Sequence, residues 1–389
     1  MITFVYAQEA VPNTITRSIF LAGPSLRPGQ EIGNVSWRDR AIQVLKLLEY
    51  DGVVFIPEAR TGNFTDFNYE NQIQWETKCL RLADNILFYI NRNMDKELYG
   101  LTTNQEFGQW CESGKCILIT EHTADHIRYQ EWWANELKIP LFHDLTNGIK
   151  LIIEQQKDGA IRSDGERFVP LEIWNLDQFK SWYIQLKSNG NKLQDAKVLK
   201  TFRIPSNNKI FAYTLWVNVF ITNENRMKNN EFIFSRPDIS SCLLYYWRPD
   251  PMECEIVLVS EFRSPVNNSK GKVFEIPGGS SHKNGVDPKE TIIEELEEEC
   301  GFKAELARLT FVQANQLAAT ILTHKSHLFA YKLNNYELDI LKSNQNKIFG
   351  VESDSERTEI HVVKVKDIID VDWLDWANKG MILSVLIKN

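Results

Sequence analysis

The chain has 389 residues, with 44 basic and 52 acidic side chains and a net charge of −8. Hydrophobic residues make up 43% and charged residues 25%, which is typical of folded domains and excludes a largely disordered chain. The length predicts about two to three domains. The acidic balance excludes a general nucleic-acid coat, because phosphate binding needs clustered lysine and arginine.

Targeting and redox features predict a cytoplasmic protein. The sequence has no apolar run near the ~18 residues that a membrane helix needs. Its first ten residues lack the basic and apolar regions of a secretory signal. The six cysteines show no CxxC motif and no histidine cluster at zinc spacing, so we expect reduced, mostly buried thiols. Cys111 and Cys116 are close enough in sequence for a redox pair, although a thiol on a helix and another at the start of a strand is the simpler interpretation.

The first part of the chain alternates predicted strands and helices. The predicted strands occupy 17–23, 52–58, 85–90, 115–120 and 139–145, and the helices between them include 69–83, 104–113 and 128–137. This repetition predicts an α/β domain with a parallel sheet covered by helices on both faces. Ligands of such sheets bind beyond the carboxyl ends of the strands.

From about residue 195 the pattern changes to strands with one strong helix. The predicted strands occupy 210–222, 241–247, 255–262, 272–277, 327–333 and 359–365, and the helix occupies 287–300. This pattern is typical of an α+β domain with a mixed or antiparallel sheet. We therefore predict one domain at 1–155, a connector at 156–195 and a second domain at 196–389.

The helix of the second domain is strongly acidic. Asp287 suits its N-cap and Gly301 its C-terminal stop. Glu295, Glu298 and Glu299 are spaced i, i+3 and i+4, so they share one face and repel each other. A divalent cation, Mg²⁺ or Mn²⁺, would offset that repulsion. A solvated acidic face is the alternative, and this helix alone does not decide between the two.

Three segments around this helix resemble the Nudix hydrolase family. They are EFR at 261–263, EIPGG at 275–279 and EELEEECGF at 294–302, and the resemblance covers roughly 200–389. Within the family signature, Val286 and Glu294 replace a glutamate and an arginine. The resemblance implies a Nudix fold and the metal-assisted hydrolysis of a nucleoside diphosphate derivative.

The resemblance also assigns roles to individual residues of the second domain. It implies that Glu295, Glu298 and Glu299 bind the metal, that Glu298 and Glu299 are catalytic, and that Arg263 contacts the substrate. The candidates for an additional base lie in a late acidic segment and are Glu352, Asp354, Glu356 and Glu359. For each of these four, a solvated polar turn is the simpler interpretation.

Glu106 is the strongest candidate of the first domain. It lies in GLTTNQEFG at 100–108, after the third predicted strand and at the start of a helix. Thr103 and Glu106 match a capping box, which is a purely structural interpretation. The position is also the carboxyl edge of a parallel sheet, and the helix N-terminus would favour the ionised carboxylate that a nucleophile requires.

Segments of 17–150 resemble nucleoside 2-deoxyribosyltransferase-like proteins. In order they are IFLAGP (19–24), SWR (36–38), IPEAR (56–60), QWE (74–76) and LTTNQEFG (101–108). The resemblance is closest to the divergent TTN-x-EFG branch and implies a Rossmann-like domain. It implies that Glu106 attacks C1′ of the sugar and forms a glycosyl–enzyme intermediate, as in a retaining glycosidase.

The predicted substrate contacts of the first domain lie in its loops. Gly23, Pro24 and Arg27 would border the sugar or the phosphate. Arg27 and Arg60 offer bidentate phosphate contacts, although each suits a surface ion pair equally well. The remaining candidates are Thr103 and Asn104.

These observations predict a nucleotide-processing enzyme with two activities. The first domain would cleave or transfer an N-glycosidic bond, and the second would hydrolyse a phosphoanhydride with Mg²⁺. The alternative is a nucleotide sensor, in which the altered Nudix-like domain binds a nucleotide and controls the first domain, a role that would fit defence. We expect a nucleoside or nucleotide partner, no membrane or nucleic-acid partner, and a homo-oligomer, at least a C2 dimer.

Overall fold

The structure is a computed structural model that describes residues 1–25, 36–60, 68–281, 285–345, 347–350 and 357–388. The chain divides into two compact units, Met1–Ser235 and Arg236–Asn389. Within the described residues, no helix has both the length and the apolar character needed to cross a membrane.

The first unit contains eleven strands and seven helices among its described residues. The strands are β1 (Thr3–Tyr6), β2 (Thr14–Ile15), β3 (Ser18–Ala22), β4 (Val53–Ile56), β5 (Asn85–Ile90), β6 (Cys116–Thr120), β7 (Leu141–Phe142), β8 (Arg162–Ser163), β9 (Lys192–Arg203), β10 (Ile210–Ile221) and β11 (Arg226–Ser235). The helices are α1 (Trp37–Leu47), α2 (Tyr69–Leu82), α3 (Leu101–Trp110), α4 (Arg128–Glu136), α5 (Leu145–Gln156), α6 (Leu171–Trp174) and α7 (Asp177–Ser188).

A six-stranded parallel sheet organises this unit, in the order β1-β4-β3-β5-β6-β7. The residues of β3, β4, β5 and β6 are buried throughout, which explains their continuous apolar sequences. Phe88 faces one core with α2 and α3, and Leu87 faces another with α1 and α5. The predicted α/β Rossmann-like architecture of the first domain is confirmed.

The segment predicted as a connector is part of the first unit. Helices α6 and α7 pack against the antiparallel sheet β11-β10-β9, and a core around Phe179, Tyr213 and Leu215 joins them. The units therefore divide between Ser235 and Arg236, whereas the sequence predicted a boundary at 195/196. The polar, half-exposed strands β9 and β11 carry too little apolar periodicity to reveal this sheet.

The second unit is a mixed sheet with three helices in its described part. Its strands are β12 (Ile239–Tyr246), β13 (Glu255–Glu261), β14 (Val273–Glu275), β15 (Gly278–Gly279), β16 (Thr310–Gln316), β17 (Lys325–Lys332), β18 (Ile348–Phe349) and β19 (Thr358–Lys364). The helices are α8 (Pro288–Cys300), α9 (Asn335–Asn344) and α10 (Trp376–Leu386). The main path is β16-β17-β12-β13-β19-β18, with β12 and β17 parallel, and β14 and β15 pair with β13 and β12.

Helices cover both faces of this mixed sheet. Leu296 of α8 and Leu341 of α9 share one core with Val257, while Ile382 of α10 belongs to a second core with Leu258. The mixed α+β arrangement agrees with the predicted class. The prediction of a single strong helix is wrong, because α9 and α10 also form. Helix α10 was not predicted because its apolar residues are spread around the helix instead of forming one stripe.

Candidate active site

The strand order predicts a ligand-binding crevice at the carboxyl edge of the parallel sheet, between β3 and β5. The chain leaves β3 toward β4 on one side and leaves β5 toward β6 on the other. This reversal of direction is the place where open α/β sheets bind ligands. Gly23 and Pro24 follow β3 directly, and helix α3, which carries Glu106, follows β5 after a loop.

Helix α3 begins three residues before the predicted start. Its N-cap is Gly100, in the left-handed region with φ +61°, and no side chain caps the helix. A Cβ atom on Gly100 would lie 2.9 Å from Cγ of Pro24, so the two loops meet closely. The predicted capping box of Thr103 and Glu106 is therefore wrong. Thr103 is buried in the first turn, and Glu106 lies in the second turn.

The Glu106 carboxyl is held in its protonated form near neutral pH. Burial is the largest cause, the negative charge of Glu76 adds to it, and Arg38 opposes both, so that the pKa of Glu106 rises to about 8. The expectation that the helix N-terminus favours the ionised form is wrong, because desolvation outweighs the helix dipole here. A raised carboxyl pKa in a crevice is typical of functional sites.

Glu76 of α2 is the second acidic group of the site. Burial raises its pKa, while a 2.8 Å hydrogen bond from Nε2 of Gln72 and the charge of Arg38 act in the opposite direction. Glu76 and Glu106 thus form a pair of half-buried carboxyls whose charges influence each other. Such pairs divide acid and base roles between two similar groups.

Arg38 of α1 organises the turn that borders these carboxyls. Its guanidinium donates to the backbone oxygens of Leu21 at 3.1 Å and Gly23 at 2.7 Å, and it pairs with the carboxylate of Glu58. Its side chain is almost fully buried. These hydrogen bonds orient the turn after β3. They also hold the positive charge of Arg38 near the carboxyls of Glu76 and Glu106, which agrees with its lowering effect on the pKa of Glu106.

Gly23 has no room for a side chain. A Cβ atom there would lie 2.4 Å from the backbone oxygen of Tyr89 and 2.8 Å from the Trp37 ring. The Trp37 indole donates a 3.0 Å hydrogen bond to the oxygen of Pro24 and stacks on Tyr89. Gly23 and Pro24 therefore lie at the carboxyl edge of the sheet, and their contact with a substrate stays a prediction.

The other predicted contacts of this unit lie elsewhere. Arg60 forms a bidentate pair with Glu9, at 2.7 and 2.9 Å, and stacks over Tyr6, as the ion-pair alternative predicted. Asn104 accepts hydrogen bonds from Arg92 and Gln130 on another face of α3. Arg27 lies outside the described residues.

Three residues of this site, Arg38, Glu58 and Glu76, were not among the predicted site residues. Each nevertheless lies in a short segment that carried the family resemblance, namely SWR (36–38), IPEAR (56–60) and QWE (74–76). The ionisable residue in each of these segments was the feature that could have marked a site residue. Their convergence depends on the order of the strands, which the sequence does not specify.

In the second unit, acidic side chains of α8 meet the glycine strand β15. The Glu299 carboxylate is buried and accepts a 2.9 Å hydrogen bond from the Gly278 amide. A Cβ atom on Gly279 would lie 2.2 Å from Oε1 of Glu295, so this contact requires glycine. Glu298 is exposed on the same helix. The predicted N-cap at Asp287 and stop at Gly301 are both confirmed.

The described carboxylates do not form a ready metal site. No group of three or more histidine, cysteine, aspartate or glutamate side chains in the described part of the chain is arranged to hold a metal ion. The Glu299 carboxylate is instead bound to the Gly278 amide. The arrangement thus does not fit a preformed cation site, and we derive no metal-dependent step from it. Binding of Mg²⁺ or Mn²⁺ stays a prediction.

The remaining candidates of the second unit are separate from α8 or not described. Arg263 forms a 2.7 Å ion pair with Glu261, and its charge acts on the buried Glu275, whose pKa burial raises to about 7. Glu359 on β19 pairs with Lys272 at 3.0 Å. Glu352, Asp354 and Glu356 lie outside the described residues.

The comparison with known families found a match within the first unit. Residues 16–124 match a family model described as nucleoside 2-deoxyribosyltransferase like. This range contains the sheet edge, the turn after β3 and Glu106. The N-terminal part of the chain is therefore similar to a family of enzymes that act on nucleosides. No curated protein matches the chain.

Proposed function

We propose that the first unit cleaves the N-glycosidic bond of a nucleoside or nucleotide, with Glu106 as the nucleophile. The family match over residues 16–124 supports this chemistry. The observation that carries the proposal is the half-buried Glu106 carboxyl, with a pKa of about 8, at the carboxyl edge of the sheet beside Glu76. Two interacting carboxyls supply the nucleophile and the base that activates the attacking water in glycosidic cleavage.

In the proposed reaction, ionised Glu106 attacks C1′ of the sugar. The bond between C1′ and the base nitrogen breaks, and an ester between the sugar and Glu106 forms. The departing base takes a proton from the solvent, because Glu76, whose negative charge acts on Glu106, is ionised. Water then attacks C1′, ionised Glu76 takes up the proton of that water and releases it to the solvent, and the ester bond breaks. The sugar is released with a hydroxyl group and Glu106 returns to the carboxylate.

The local charges suit the positive charge that develops on the sugar. The oxocarbenium-like transition state is stabilised by a nearby carboxylate, and burial strengthens this interaction because water no longer screens it. Burial also disfavours the carboxylate of Glu106 in the free enzyme, where the charge of Arg38 offsets this effect only in part. The stabilisation is therefore larger in the transition state than in the free enzyme, as catalysis requires.

The substrate class can be tested directly with the full chain. The protein is incubated with nucleosides, nucleoside monophosphates, NAD and ADP-ribose, with and without Mg²⁺, and the products are identified by mass spectrometry. The proposal predicts free base and the corresponding sugar or sugar phosphate, in equal amounts and without a need for Mg²⁺. A product set that retains every base–sugar bond would contradict it.

For the second unit, a divergent Nudix-type hydrolysis of a phosphoanhydride is the second candidate function. Its support is the resemblance of the segments 261–263, 275–279 and 294–302 to Nudix hydrolases. The rival is a nucleotide sensor that regulates the first unit, which the substitutions Val286 and Glu294 favour. Mg²⁺-dependent release of a nucleoside monophosphate separates the hydrolase from a sensor, which would bind its ligand unchanged.

A further inference from the structure

The three-stranded sheet β11-β10-β9 has one covered face and one open face. Helices α6 and α7 cover the first face, together with the core that contains Tyr213 and Leu215. Side chains alternate between the two faces of a strand, so Thr214, Trp216 and Phe220 of β10 belong to the open face. These three side chains are partly exposed, whereas Tyr213 and Leu215 are fully buried.

The open face carries aromatic side chains from all three strands. On β11, Phe232 lies opposite Trp216 and Phe234 lies opposite Thr214, and directly opposed residues share a face. Phe202 of β9 packs edge to face against Phe234, with ring centroids 6.2 Å apart. Phe202 is 47% exposed and Phe232 is 49% exposed. A group of exposed aromatic side chains on one face is typical of a binding surface.

Lysines of β9 lie in register with these aromatic residues. Lys197 is opposite Trp216, and Lys192 is opposite Phe220. Both lysines are exposed. Two solvated positive charges therefore lie on the open face beside its aromatic rings.

This sheet is basic although the chain is acidic. Residues 192–235 contain seven basic and three acidic side chains, a charge of +4, against −8 for the whole chain. Each of the three acids pairs with a basic side chain, in the pairs Asp195–Arg81, Glu224–Arg226 and Glu231–Lys228. The expectation of no nucleic-acid partner rested on the charge of the whole chain, and the local charge of this sheet favours a polyanion.

We propose that the open face of this sheet binds a single strand of nucleic acid. Unpaired bases would stack on Phe202 and Phe232, since stacking on an aromatic ring accepts any base. The phosphates between the bases would contact Lys192 and Lys197. The alternation of rings and phosphates along a single strand thus matches the rings and charges of this face.

The length of the face favours a strand over a single nucleotide. From Phe202 opposite Ala212 to Met227 opposite Phe220, the open face covers eight residue steps of β10, which is ~27 Å. That distance accommodates several stacked bases. Stacking and phosphate contacts do not involve the sugar, so RNA and DNA should bind alike. The proposal does not depend on cleavage at Glu106.

Binding is measured with the full-chain protein by fluorescence anisotropy. The probes are labelled single strands of uridine and of deoxythymidine, about 15 nucleotides long, and a DNA duplex of the same length. The Glu106→Gln background is used as well as the wild type, so that base release does not alter the probes. We expect saturable, similar binding of both single strands in both backgrounds, and weaker binding of the duplex, whose bases are not free to stack. Affinity should fall as salt rises, because bound lysines release counterions.

Four variants locate the site. Phe232→Ala removes an exposed ring and should weaken binding of both single strands at least fivefold, whereas Tyr336→Ala removes an exposed ring of the second unit and should have no effect. Lys197→Gln should lower the slope of log affinity against log salt by about 0.7, the value for one phosphate contact. Lys180→Gln, on the exposed side of α7, should leave the slope unchanged. Circular dichroism confirms that each variant is folded.

Three results would overturn the proposal. One is the absence of saturable binding of either single strand at high micromolar protein concentration and low salt. Another is the same affinity in folded Phe232→Ala and Tyr336→Ala proteins. The third is a wild-type dimer that dissociates in the Phe232→Ala protein in light scattering without any probe, which would make the open face a contact between copies of the chain. Base release measured in parallel reports on Glu106 alone, so failure of one proposal is distinguishable from failure of the other.

Discussion

Arg162 and Asp84 form a fully buried, bidentate ion pair in the first unit. Nη1 and Nη2 of Arg162 lie 2.6 and 2.7 Å from the two carboxylate oxygens of Asp84, and both side chains are at most 1% exposed. Asp84 also accepts from the Leu171 amide at 2.9 Å and the Ser18 hydroxyl at 3.0 Å. The pair thus fastens the segment after α5 to the start of the parallel sheet.

The first prediction concerns this ion pair. Arg162→Met should lower the free energy of unfolding by about 3–5 kcal/mol, because it leaves the Asp84 carboxylate buried without its counter-charge. Urea denaturation followed by circular dichroism measures the change.

Arg226→Ala is the matched control, since Arg226 pairs with Glu224 and both are about half exposed. Exposed pairs contribute less than about 1 kcal/mol. Equal stability losses in the two variants would show that the buried pair does not hold the segment in place.

The second prediction concerns the pH dependence of base release. Glu106 must be ionised to attack, and with a pKa of about 8 roughly a tenth is ionised at pH 7. The rate should therefore rise with pH and level off above about pH 8. Glu76→Gln removes the like charge that raises the pKa of Glu106, so the rising limb should move to lower pH.

Because Glu76 is also the proposed base for the attacking water, the plateau of the Glu76→Gln profile should fall as well. The informative quantity is the pH at which the rate rises. A purely structural role of Glu76 would lower the rate without changing that pH. A limb that stays in place, or that moves to higher pH, would contradict the charge interaction between Glu76 and Glu106.

The fold of the first unit was largely predictable because its central strands are buried on both faces. Such strands are apolar at every position, and the predicted strand at 85–90 coincides with β5. The sheet β9–β11 was not predictable in the same way. Strand β11 is exposed over much of its length and reads RMKNNEFIFS, so its formation depends on pairing with β10 and not on its own pattern.

The position of Glu106 was predictable, but its protonation state was not. The βα pattern placed Glu106 beyond a strand end, and the structure confirms that placement. Its pKa depends on burial and on Glu76, which lies on another helix. These are tertiary effects that neither the capping pattern nor the helix dipole reports.

The third prediction concerns the second unit. If it hydrolyses a phosphoanhydride with Mg²⁺, Glu298→Gln should abolish that activity and leave the fold intact, because a neutral amide is a poor ligand for a hard cation. Phosphate-ester products from ADP-ribose, measured with Mg²⁺ and with EDTA, test this. Glu297→Gln is the control, since Glu297 is exposed on the same helix and was not assigned to the metal. Equal turnover in both variants would remove the metal assignment.

The fourth prediction concerns assembly. We expect at least a C2 dimer, the commonest closed symmetry of soluble oligomers. Light scattering coupled to gel filtration at micromolar concentration measures the molar mass, against 45.2 kDa for one chain. A mass that stays at one chain over a range of concentrations would contradict the expectation.

The most direct test of the account is base release by Glu106→Gln. Protonated glutamate and glutamine have nearly the same shape, and burial keeps Glu106 largely protonated near neutral pH, so the variant should melt at the wild-type temperature. It should nevertheless release no free base from the nucleoside or nucleotide that the wild type prefers, because the amide cannot form the glycosyl ester. Release at the wild-type rate by the folded Glu106→Gln protein would contradict the central claim.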